Sequence, residues 1–97
     1  MAKLTAAALR TALTALPGWK SAKGAIHRTF TCASFPDAIT FATRIVFDAE
    51  AADHHPDILI SYKKVTVTWS THSEGGVTTK DISAASATNR RYDAVAQ

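Results

Sequence analysis

Apolar positions recur along the chain in two rhythms, one near every 3.6 residues and one every second residue, and the order in which they alternate predicts the fold. From Thr5 to Leu16 the residues Leu9, Leu13 and Leu16 keep helical spacing, with Thr5 able to cap the start and Pro17-Gly18 ending the run. Trp19 to Thr31 reads as a hairpin: Lys23-Gly24 offers the turn, and Ile26, Arg28 and Phe30 then alternate with His27, Thr29 and Thr31. Ser34, with Asp37 three residues on and Pro36 in the first turn, opens a second helix. Its apolar face runs through Phe35, Ala38, Ile39, Ala42, Ile45, Val46 and Ala49 to roughly Ala52. Pro56 forbids simple continuation. Ile58, Ile60 and Tyr62, then Val65, Val67 and Trp69, alternate as two further antiparallel strands with a turn around Lys63 and Lys64. Ser70, Thr71 and His72 are expected to finish the last strand before the Gly75-Gly76 loop. Thr78 with Asp81 matches a capping box, and Ile82, Ala84, Ala85 and Ala87 continue a third helix. The order α-β-β-α-β-β-α is packed most simply as a two-layer α+β sandwich, a four-stranded antiparallel sheet with its helices on one face, in one domain over residues 1–97.

Composition changes this picture little but removes several functions. With 46% hydrophobic and 20% charged residues the chain reads as a globular protein rather than a disordered tail. The net charge of +3 comes from scattered Lys and Arg, paired only at Lys63-Lys64 and Arg90-Arg91, which is not the clustered basic patch of a nucleic-acid binder. Cys32 is the sole cysteine, so no intramolecular disulfide and no CxxC site can form. Thr5, Arg10, Thr11 and Thr14 interrupt the apolar N-terminal stretch, so neither a signal peptide nor a membrane span is expected and a cytoplasmic protein is the default.

Candidate chemistry concentrates between Glu50 and Asp81, which hold three of the four histidines, His54, His55 and His72, beside several carboxylates. Imidazole titrates nearest neutrality, so this grouping points first to proton transfer. Asp53, His54 and His55 fall at the exit of the second helix, and a hairpin whose residues rise about 3.3 Å each can return His72 to the same end. Glu50 stands four residues before His54, a spacing that can orient an imidazole. Taken singly, each histidine has a bland reading: His54 as a helix C-terminal cap, His55 packed under Pro56, His72 as a solvated loop residue. Three in two linked turns favour the chemical reading. The capping box alone explains Asp81, which is therefore read as supporting. A metal site is the rival, but neither HxxxH nor HExxH occurs and neighbouring histidines rarely share one ion, so no metal ligand is assigned. Cys32 lies in an apolar context that does nothing to activate a thiol.

Glu50, His54-His55-Pro56, the aromatic Tyr62, Thr71-His72 after an alternating strand, Gly75-Gly76 and Asp81 together resemble the pterin-4a-carbinolamine dehydratases. The likeness extends to Gly18-Trp19, Arg28, Phe30 and Ala49-Glu50, although the aliphatic residue usual before Ser-Thr-His is Trp69 here. The resemblance implies the same seven-element sandwich and loss of water from a 4a-hydroxytetrahydropterin to give a quinonoid dihydropterin, with no metal or organic cofactor. By matching positions, Asp53, His54, His55 and Pro56 and the run Ser70, Thr71, His72 and Ser73 would bind the pterin. His54 and His72 would carry most of the proton transfer, His55 would hold the ring, Glu50 would orient a histidine, and Asp81 would support. The resemblance also implies a homodimer or homotetramer and a possible functional link to an aromatic amino acid hydroxylase, while the scattered charge and the interrupted apolar N-terminal stretch lead to the expectation of no direct nucleic-acid and no membrane partner. The alternative on the same scaffold is a non-catalytic dimerisation or assembly factor.

Overall fold

In the computed structural model, which describes residues 2–96, the predicted order of elements is present. Helix α1 spans Ala6–Leu13, strand β1 Lys20–Ala22, β2 Ala25–Thr31, α2 Phe35–Ala52, β3 Asp57–Ser61, β4 Lys64–Trp69 and α3 Thr79–Ala96, with a single 3-10 turn at His72–Glu74. The strands form one antiparallel sheet in the order β1-β2-β4-β3, so the two hairpins join through β2 and β4 in the centre. The fold is the α+β sandwich that the periodicities predict.

Local chemistry sets the element boundaries. Thr5 and Ser34 accept hydrogen bonds from the N–H groups of Ala8 and Asp37, each at 3.1 Å, satisfying donors that a helix start leaves open. Helix α1 is shorter than its pattern suggests, ending at Leu13, with Leu16 carried in a following turn where it is still buried. At Gly18 φ is +89°, and a Cβ there would stand 3.0 Å from the Arg28 Nε, so the chain turns at this point only without a side chain.

Two expectations need correction. Tyr62 is not the last residue of a strand: with φ +54° it forms the two-residue turn with Lys63, and Lys64 already pairs with Ser61 and Thr31. The register that buries Val65, Val67 and Trp69 fixes where that hairpin must close. Nor does β4 continue to His72. It stops at Trp69, Thr71 forms an isolated bridge to Gly76, and His72 sits in the 3-10 turn between them.

One face of the sheet, carrying Ile26, Phe30, Val65, Val67 and Trp69, is buried against α2 through Phe41 and Ile45 and against α3 through Ala85. Phe30 is the hub, with its ring centroid 4.9 Å from those of both Phe41 and Tyr92 and 6.0 Å from that of Trp19. Arg28 shares this face. Its guanidinium lies 4.3 Å above the Phe30 ring and donates to Asn89, whose side-chain oxygen also accepts from the Trp19 indole. This packing holds both ends of the central strands in place and so positions the turns that follow them.

Candidate active site

The end of α2 decides where the first two histidines point. Asp53 takes a left-handed conformation (φ +50°), its N–H bonding back to Ala49 and Glu50 while the His54 N–H bonds to Ala49 at 3.1 Å. This is a Schellman closure, with an aspartate in the place where glycine is commonest. The helix is therefore finished before His54, and the spacing that would set Glu50 under His54 no longer applies. Glu50 instead holds His55, with Oε1 2.7 Å from Nε2. The expected Glu50–His54 pair is not formed.

His54 turns the other way, into the protein. Its Nε2 lies 2.6 Å from Oδ1 of Asp81, a carboxylate that is fully buried, and its ring stacks on Trp69 with centroids 5.3 Å apart. The second Asp81 oxygen accepts from the Thr71 hydroxyl at 2.7 Å and from the Thr78 N–H at 2.9 Å. The latter is the capping-box bond, so Asp81 is both a helix cap and a histidine anchor. With the carboxylate acting as acceptor throughout, the ring bond is donated by the Nε2 hydrogen, which leaves Nδ1 outside this contact. The Thr71 hydroxyl, having given its hydrogen to Asp81, accepts from Thr78, and the Trp69 indole donates to Thr88 at 3.1 Å. Every polar group in this buried cluster has a partner.

One carboxylate thus ties together three segments distant in sequence: the exit of α2 through His54, the turn before His72 through Thr71, and the start of α3 through Thr78. His72 follows Thr71 directly and lines a cleft of about 360 Å³ with His55, Asp57, Thr68, Ser70 and the turn Lys23-Gly24-Ala25. The Ser70 hydroxyl donates to the Gly24 carbonyl at 2.8 Å, fastening this turn to the cleft. His54 borders a separate cavity of about 350 Å³ between α2 and α3, floored by Trp69. Consecutive imidazoles therefore face different spaces.

Of the residues singled out from sequence, His55, Ser70 and His72 share the cleft; His54, Thr71 and Asp81 share the buried network; Glu50 reaches the site through His55. Asp53 shapes the backbone as an exposed cap, while Pro56 and the exposed Ser73 line neither cavity. The sequence reading missed Asp57, Thr68 and the Lys23–Ala25 turn as lining residues, and Trp69 as the stacking partner of His54. The signal was there in part: pairing Ile26 with Trp69 brings the first turn beside Ser70, but the register needed for this is set by packing. Cys32 is buried, and burial, with Asp37 nearby, pushes its thiol up, away from the thiolate form.

No helix among the described residues is long and apolar enough to cross a membrane, and no group of three or more His, Cys, Asp or Glu among them is arranged to hold a metal ion.

Comparison with known proteins gives the same direction. The family model described as pterin 4 alpha carbinolamine dehydratase matches residues 2–91. A relative from Herpetosiphon aurantiacus named "Putative pterin-4-alpha-carbinolamine dehydratase" is 46% identical over 94 residues, covering 97% of this chain and 98% of its own. One from Chloroflexus aurantiacus with the same name is 45% identical over 87 residues, or 90% and 94% of the two chains. Among solved structures, a transcriptional coactivator/pterin dehydratase from Brucella melitensis superposes with a TM-score of 0.85 at 39% identity, covering 98% of this chain and 99% of that one. A pterin dehydratase-like protein identified as a RuBisCO assembly factor in the alpha-carboxysome shares the fold alone, with a TM-score of 0.54 at 20% identity over 80% of this chain and 86% of that one. The Glu50, His54, His55, His72 and Asp81 set, the sandwich that holds it and a family match over nearly the whole length lead to one conclusion: this chain belongs to the pterin-4-alpha-carbinolamine dehydratase family.

Proposed function

We propose that the protein is a hydro-lyase that removes water from a 4a-hydroxytetrahydropterin, giving the quinonoid dihydropterin, and so serves pterin recycling after an aromatic amino acid hydroxylase. The observation that carries this reading is the single buried carboxylate of Asp81, which fastens His54 and the Thr71-His72 turn to one point and so sets two imidazoles on neighbouring segments. Dehydration needs an acid to protonate the departing C4a hydroxyl and a base to accept the N5 proton. Imidazole is the side chain suited to both roles near neutral pH. His72, which lines the cleft, and His54, which Asp81 holds on the adjoining cavity, are assigned these protons, so the ring lies across the rim between the two spaces, where His55, braced by Glu50, holds it. The reaction closes on the protein's own groups and water, and no cofactor enters it.

The test is the rate at which a 4a-hydroxytetrahydropterin, formed in place by a hydroxylase, loses water with and without the protein, followed by the ultraviolet change of the pterin. Acceleration is expected, falling by about 10²-fold in His54→Ala and His72→Ala. Folded protein that gives no acceleration overturns the enzymatic reading, and a His54 or His72 variant with undiminished rate overturns that residue's role.

Self-association belongs to the same proposal. Phe35, Ile39, Val46 and Phe47 on α2 and Leu59, Ile60 and Tyr62 on and beside the edge strand β3 are all exposed, Phe47 by 70% and Tyr62 by 69%. An open strand edge beside so much apolar surface calls for covering, and a homodimer or homotetramer supplies it. Size-exclusion chromatography with light scattering at micromolar concentration is expected to show the oligomer, and monomer alone would overturn it.

A further inference from the structure

The fourth histidine, His27, takes no part in the chemistry above, yet the sheet register places it beside the cleft. Lys20 pairs with His27, His27 with Thr68, and Thr68 with Asp57, so these four form one row across all the strands. Directly opposed residues share a face. It is the outer face here, since Ile26, Val67 and Trp69 between them point into the core. Thr68 and Asp57 line the cleft with His55 and His72; His27 is the next step outward and Lys20 the last. With strands about 4.8 Å apart, the row extends about 14 Å.

We infer that this row is the part of the site that holds a hydroxylated substituent of the substrate, with His27 as the residue that sets preference for it; the inference rests on the dehydratase reading. The contrast with the adjacent row supports it. Thr29 and Thr66, one row farther from the cleft, satisfy each other with a hydroxyl–hydroxyl bond of 2.9 Å. His27 and Thr68 are half-buried, and among the described residues neither side chain is hydrogen-bonded to the protein. Their polar atoms are open where the row meets the cleft and closed where it does not.

The chemistry of the row selects the ligand class. A lysine only donates, a carboxylate only accepts, and histidine and threonine do both, which complements hydroxyls that also do both. The Asp57 carboxylate at the cleft end disfavours an anionic substituent, and no apolar side chain in the row favours an alkyl one. One interstrand step separates Thr68 from His27, a distance that a short polyol chain covers once the bicyclic ring lies between His55 and His72.

Two substrates test this in one assay: a 4a-hydroxytetrahydropterin with a dihydroxypropyl group at C6, and the counterpart with a methyl group there. The readout is the ratio of their kcat/KM values within each protein. This ratio is expected to fall about five-fold in His27→Ala, through KM for the hydroxylated substrate, as for loss of one hydrogen bond. His27→Gln, which keeps a donor and an acceptor, is expected to restore part of it, and Thr68→Val to lower it again. A ratio unchanged by His27→Ala, or equal losses on both substrates, overturns the inference while leaving the dehydratase reading intact. Absence of turnover of either substrate by the unaltered protein overturns that reading, and the inference with it.

Discussion

His54 and His55 are neighbours in sequence, each paired through Nε2 with a carboxylate at almost the same distance, 2.6 Å to Asp81 and 2.7 Å to Glu50, yet the two pairs are physically different objects. The His54 side chain is 13% exposed and that of Asp81 not at all, whereas those of His55 and Glu50 are exposed by 57% and 70%. Water competes for the outer pair and screens it, so it is worth little to the fold. The inner pair is cut off from water, and the carboxylate compensates by filling its acceptor positions with His54, Thr71 and Thr78. Equal hydrogen-bond lengths therefore say nothing about equal roles. The inner pair fixes the packing around Asp81, and the outer one orients a side chain that stays open to solvent.

The largest effect expected from this contrast is at Asp81. Asp81→Ala leaves Thr71, the Thr78 N–H and His54 without their shared acceptor in a buried place, and is expected to cost about 3 kcal/mol of stability, measured by urea unfolding. It is also expected to release the His54 ring, visible as a loss of the stacked Trp69 environment in near-ultraviolet circular dichroism. A cost under about 1 kcal/mol would break the distinction between the two pairs.

Glu50→Gln is the matching change on the outside. Its stability cost is expected to stay within about 0.5 kcal/mol, as for exposed pairs, while KM rises because His55 is less firmly aimed. Stability losses comparable to those of Asp81→Ala would mean that the outer pair is structural after all.

A third carboxylate sharpens the comparison from the surface side. Asp48 accepts both Arg91 bonds at 2.7 Å, and this bidentate contact holds its carboxyl below the usual carboxylate range. A group whose pKa is lower in the folded than in the unfolded chain adds stability above its unfolded value, about 3.9, and loses it as pH falls through the folded one. The melting-temperature difference between the unaltered protein and Asp48→Asn is therefore expected to be small at pH 6 and to shrink as pH falls below the unfolded value. A difference that grows on acidification would contradict the Arg91 assignment.

Much of this could be read from the chain because it depends on near neighbours. Thr5, Ser34 and Thr78 start helices through bonds that reach three residues or fewer, and period-two alternation marks β2, β3 and β4 whatever they pair with. The histidine grouping, too, was visible as spacing. The turn at Tyr62-Lys63 was not, because a tyrosine at positive φ is tolerated only when the strands on either side are already paired.

What the sequence determined by itself is the set of elements and the inventory of titratable groups, since caps and periodicities act over one turn or one strand. What only the tertiary structure decided is who holds whom. Asp53 ends α2 in a left-handed turn, so Glu50 loses His54 and takes His55, and packing of α3 on the sheet delivers Asp81 from 27 residues away to the place that helical spacing had offered to Glu50. The same register that buries Trp69 under His54 sets His27 beside Thr68 on the opposite face. Such partnerships depend on the sum of all the core contacts, which no local pattern contains.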